Sequence, residues 1–133
     1  MTEREFQDIL RDTRENMLDV MRQEGFYWGP RHDRKLRYDA TVWDLNNGAC
    51  DEFADAVAEA VPEAEALSDD QFAKVPEEAF PTHVFVHWRG KFYDSECIKG
   101  VKDWRKLPLF KNQGKSRARV LRERKASGGK DCI

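Results

Sequence analysis

The sequence predicts an α+β fold in one domain, from three observations. Apolar residues recur at three- and four-residue spacing over residues 3–23 and again over 49–61, as amphipathic helices require. A run of β-branched and aromatic residues around Arg89-Gly90 has the period of a β-hairpin. The chain has 133 residues, within the ~100–150 typical of a single domain.

The elements follow in order. In residues 3–23 the stripe is Phe6, Ile9, Leu10, Thr13, Met17, Val20 and Met21, with Thr2 as the cap and Gly25 as the stop. Residues 26–48 read as turn-rich, punctuated by Gly29-Pro30, His32-Asp33 and Asn46-Asn47-Gly48, with a weak strand signal over 35–42. In residues 49–61 the stripe is Cys50, Phe53, Ala54, Val57 and Val61. Asp51 and Glu52 favour the positive end of this helix, and Pro62 closes it. Residues 63–81 are polar, with Pro76 and Pro81 as breakers and a short helix expected over 69–74. Strands follow over 82–88 and 91–96, and residues 101–110 add a turn or short strand that packs Trp104, Leu107, Leu109 and Phe110.

Composition narrows the function classes. Aromatics are 11% of the chain, including four tryptophans, which argues against global disorder. No apolar run approaches the ~18–20 residues of a membrane helix. The first 14 residues mix both charge signs without an apolar segment, so no signal peptide is expected. Three cysteines, an odd number without regular spacing, point to a reducing compartment, and the expected location is cytoplasmic. Residues 1–110 hold 15 Lys/Arg and 23 Asp/Glu, a net −8, while residues 111–133 hold 8 and 2, a net +6. The reading is a domain over 1–110 with a basic, flexible tail over 111–133 that could touch nucleic acid or an acidic partner, with a helical turn or two open to residues 118–124.

Three residues carry the candidate chemistry. Cys50 opens a helix, where unpaired N–H groups and the helix dipole favour a thiolate, against the opposing charges of Asp51 and Glu52. His83 opens the first hairpin strand. With Arg89-Gly90 as a two-residue loop, Trp88 faces Lys91, Phe85 faces Asp94 and His83 faces Glu96. His83 and Asp94 are then diagonal neighbours on one face, within reach of each other. A thiol, an imidazole to take its proton and a third group to orient the imidazole form a nucleophilic set. Asp94 and Glu96 both qualify for the third role.

The string Asn47-Gly48-Ala49-Cys50-Asp51-Glu52-Phe53-Ala54, then Thr82-His83-Val84-Phe85-Val86, then Gly90-Lys91-Phe92-Tyr93-Asp94, resembles the papain-like cysteine peptidase superfamily. The nearest branches are the NlpC/P60 and bacterial transglutaminase-like ones, and the likeness covers residues 43–96. It implies an N-terminal helix and a Cys-bearing core helix packed on a small antiparallel sheet. It also implies Cys50 as nucleophile, His83 as general base and acid, and Asp94 as the orienting residue. No glutamine shortly before Cys50 offers a papain-type oxyanion donor. The Cys50 N–H takes that place, with Asn46, Asn47 or Trp43 beside it; Asn47, Trp43 and Glu96 are the expected oxyanion or substrate-binding residues.

The expected function is therefore a cysteine hydrolase or acyl-transferase acting on an amide or thioester of a peptide or protein substrate, with no cofactor and no metal. A zinc site from Cys50, His83, Asp94 and Cys97 would lack any CxxC-type signature. The alternative is a catalytically inactive papain-like scaffold, a small phage or bacterial accessory protein that binds protein or nucleic acid. Cys97 reads as structural or as a second reactive thiol, Cys132 as exposed and silent, and His32 as exposed.

Overall fold

The computed structural model describes residues 1–28, 35–72 and 83–128. The turns expected at Gly29-Pro30 and His32-Asp33, the breakers Pro76 and Pro81, and Cys132 lie outside these residues. The chain is a mixed α+β protein, as expected. In order it forms α1 (Glu3–Glu24), β1 (Phe26–Trp28), β2 (Lys35–Arg37), α2 (Val42–Gly48), α3 (Cys50–Ala60), β3 (Glu65–Ser68), β4 (Val84–Trp88), β5 (Lys91–Asp94), β6 (Cys97–Val101), α4 (Pro108–Lys111) and α5 (Arg117–Ala126). Single 3-10 turns sit at Asp69–Gln71 and Trp104–Lys106.

A reciprocal capping box starts α1: Glu5 N–H donates to Thr2 Oγ1 and Thr2 N–H donates to Glu5 Oε1, both at 3.1 Å. Its inward face is Phe6, Leu10 and Leu18. Val20, expected on that face, is exposed, and Leu18 is buried instead. In α3 the buried face is Phe53, Ala54 and Val57, as the stripe predicts.

The principal sheet is antiparallel, in the order β3-β4-β5-β6. The hairpin register places Trp88 opposite Lys91, as expected. Arg89 and Gly90 both have positive φ (47° and 80°), the conformation that a two-residue type I′ loop needs. One sheet face carries Val86, Trp88, Tyr93 and Ile98 against α1 and α3, with Phe6 stacked on Trp88 at 4.1 Å. The other face carries Phe85 and Cys97, packed with Leu107, Trp104 and Phe110. The strand period of two divides these clusters.

Several elements differ from expectation. The weak strand over 35–42 is confined to Lys35–Arg37, because Thr41 and Asp44 form a second capping box that starts α2 inside the supposed turn region. The strand expected over 91–96 stops at Asp94, and Ser95-Glu96 turn the chain into β6. In the tail read as flexible over 111–133, the helical turn or two open to residues 118–124 is α5, and it is docked on the domain. Arg117 forks onto Asp44 at 2.8 and 3.0 Å, Arg124 reaches Glu96 at 2.8 Å, and Val120 is buried. Opposite charges on distant segments hold this helix. Among the described residues, no helix is long and apolar enough to cross a membrane.

Candidate functional site

The junction of α2 and α3 meets the start of β4 at Cys50, the first residue of α3. Its N-cap, Ala49, offers no capping side chain, so the first-turn N–H groups have no side-chain acceptor. The thiol is half-buried and is the free cysteine among the described residues. Cys97 is buried and disulfide-bonded, which removes it as a rival nucleophile. The inference from cysteine usage to a reducing compartment therefore does not extend to Cys97.

His83 is fully enclosed between the sheet and Phe110, whose ring meets the imidazole edge-on at 5.7 Å. Its Nε2 lies 2.8 Å from Asp94 Oδ2. Its Nδ1 has no closed hydrogen bond, and the Cys50 thiol is the other polar group acting on the ring. Pairs of this kind are often open without substrate and tighten in the complex. The expected diagonal contact of His83 and Asp94 is thus direct.

Asp94 is itself held. Oδ1 accepts from the Glu96 backbone N–H at 2.9 Å, and Oδ2 accepts from Asn46 Nδ2 at 3.2 Å. Asn46 is buried, turned inward because the Thr41 capping box and Leu45 fix the rotation of α2. It was expected beside the oxyanion; the structure turns it to the carboxylate. The pattern that would have revealed α2 is Thr41-x-x-Asp44, a helix-start signature.

The electrostatics follow from these contacts. Burial raises the Cys50 thiol, but the His83 ring, the Val84 N–H aimed at the sulfur and the His83 charge together bring it below the ordinary range; Asp51 opposes them. Burial disfavours the His83 cation, yet the Asp94 hydrogen bond and the Cys50 thiol push it up to about 9. These contacts shift the pair towards a thiolate beside an imidazolium, with Nε2–H donating to Asp94.

Glu96, the other candidate for the third role, turns elsewhere. Oε2 accepts from Arg124, while Oε1 is buried and has no hydrogen-bond partner among the described residues. Burial and the Asp94 charge push Glu96 up to about 7, against the pull of Arg124.

Two cavities meet on α2 just before Cys50. One, of about 320 Å³, is bounded by Met21, Phe26 and Tyr27 and by Gly48 and Ala49. The other, of about 220 Å³, is bounded by Glu96, Leu109 and Lys115. Trp43 and Asn47 wall both. The Asn47 amide donates to the Trp43 carbonyl at 2.8 Å. Among the described residues, no group of three or more His, Cys, Asp or Glu side chains is placed to hold a metal ion.

No protein-family model matches the chain, and comparisons with curated proteins and with solved structures return no match.

Proposed function

We propose that the chain is a papain-like cysteine hydrolase or acyl-transferase acting on an amide or thioester carbonyl of a peptide or protein. The observation that carries this reading is His83, bonded through Nε2 to a buried carboxylate and acted on by a thiol at a helix start. The Cys50 thiolate attacks the carbonyl carbon, and the oxyanion that forms is held at the N–H end of α3, first by Cys50 N–H. The His83 imidazolium gives its proton to the leaving amine as the C–N bond breaks, which leaves a thioester on Cys50. Neutral His83 then takes a proton from water or from an acceptor amine. That nucleophile displaces the thiolate, giving hydrolysis or transfer. Asp94 keeps the imidazole oriented and offsets its charge throughout. Trp43 and Asn47, between the two cavities, would contact the substrate on either side of the scissile bond.

The test is the iodoacetamide alkylation rate of Cys50 against pH, read by peptide mass spectrometry, in wild type and His83→Ala. The expected result is an apparent pKa below the ~8.5 of a free thiol, lost in His83→Ala. An inert Cys50 in the folded protein, or one indifferent to His83, would sink the nucleophile reading.

A second reading keeps the scaffold without catalysis and uses α5 as a contact for nucleic acid or an acidic protein. It draws on the exposed Arg119, Arg122 and Lys125. Retention on DNA or RNA that falls steeply with salt would favour it.

A further inference from the structure

The catalytic set is tied to the far end of the chain by a path the proposed mechanism does not use. Asp94 sits where β5 ends, and its Oδ1 accepts from the backbone N–H of Glu96 in the turn that follows. That turn is gripped from two sides. From α1, Arg14 donates to the Ser95 carbonyl at 3.3 Å. From α5, Arg124 donates to Glu96 Oε2 at 2.8 Å, with the Glu96 side chain 1% exposed and that of Arg124 21% exposed.

We propose that Arg124, acting through Glu96, is a positioning residue for His83. The C-terminal helix clamps the Ser95-Glu96 turn, and the turn aims Asp94 at the imidazole. The inference rests on the Cys50–His83–Asp94 reading and extends it to Arg124, 28 positions beyond Glu96.

The physical case has three parts. Asp94 pairs with Cys97 at the end of β5, next to an irregularity in the β5–β6 register, so the ladder places its backbone but not the direction of its carboxylate. Its direction depends on the donors it accepts from, and one of them is the Glu96 N–H. Glu96 cannot leave its place cheaply, because its side chain is buried and its ionised form needs the Arg124 guanidinium. Removing Arg124 frees Glu96 to turn outward for water, carrying the turn and the Asp94 donor with it. Arg124 is 21% exposed and 28 positions from Glu96, so local sequence gives no hint of this role.

The experiment measures the Cys50 alkylation rate from pH 5 to 10 in the full chain, with circular dichroism and a melting curve for each variant. Arg124→Met keeps the apolar stem but removes the donor. It is expected to raise the apparent pKa of Cys50 by about one unit, read as a loss of rate of up to about tenfold at pH 7.5, where Glu96 is ionised in wild type. Arg124→Lys should recover at least half of that shift. Val120→Ala loosens the apolar seat of α5 without touching the clamp, and should stay near wild type. A wild-type profile in Arg124→Met overturns the proposal. So does an equal shift in Val120→Ala, which would make the effect one of helix docking. If Arg124→Met does not fold, Arg124→Gln, shorter and neutral, takes its place: a shift larger than in Val120→Ala supports the clamp, and none overturns it. If wild-type Cys50 is itself inert, the hydrolase reading has failed, and this is seen before any clamp variant is made.

Discussion

His83 Nε2 lies 2.8 Å from Asp94 Oδ2, with both side chains closed off from solvent, and this bond decides which ring nitrogen remains for Cys50. Asp94→Asn keeps the shape and removes the charge. His83 should then fall from about 9 towards its ordinary 6.5, and the Cys50 thiolate should lose its counter-ion at neutral pH. The expected outcome is a loss of about tenfold in Cys50 alkylation at pH 8, between the two values, that shrinks below pH 6 where both forms of His83 are cationic. An unchanged rate would detach Asp94 from the pair.

Glu96 gives a stability signature with a definite sign. It keeps its proton to about pH 7 in the folded chain, against 4.5 for an ordinary glutamate. Between these values the folded state binds more protons than the unfolded one, so stability falls as pH rises from 4.5 to 7. Glu96→Gln should flatten this slope in urea titrations. The His83 contribution lies in a higher window, full below 6.5 and lost as pH rises through about 9. Identical slopes for wild type and Glu96→Gln between pH 4.5 and 7 would contradict the assignment.

Arg117→Ala should cost more than a surface ion pair. Its guanidinium forks onto Asp44, whose side chain is 1% exposed, so removing it strands a buried carboxylate. Breaking a buried pair costs about 3–5 kcal/mol. Asp44 keeps the Thr41 donors, so the lower end is expected. Chemical denaturation measures it, and a loss below about 1 kcal/mol would rank the pair with exposed ones.

Gly100→Ala should destabilise the sheet twice over. The residue has φ +77°, which costs an L-residue about 1–2 kcal/mol. A Cβ there would also stand 2.5 Å from the buried Tyr93 ring. Overpacking adds about 1–3 kcal/mol. The midpoint of urea unfolding should fall accordingly; an unchanged midpoint would mean that β6 moves freely away from Tyr93.

Much of the fold is local and was legible for that reason. The stripes of α1 and α3, the caps at Thr2 and Pro62, and the Arg89-Gly90 loop each depend on residues a few positions apart. So does the register that brings His83 within reach of Asp94. The α2 helix was missed because Asn46-Asn47-Gly48 at its end reads as a turn, although Thr41 and Asp44 at its start carry the capping pattern. Val20 was placed inward and points outward, since a 22-residue helix drifts out of phase with any one face.

The sequence by itself determined the α+β class, the two core helices, the hairpin and the chain order of Cys50, His83 and Asp94. Only the tertiary structure decided that Asp94 rather than Glu96 faces the imidazole, that Asn46 turns in to hold it, and that α5 lies on the domain through Arg117 and Arg124. Periodicity fixes which face a residue occupies within its own element. Where a side chain points at a strand end, and which distant charge answers a buried one, depends on segments 28 to 73 positions apart that meet only after the core has closed.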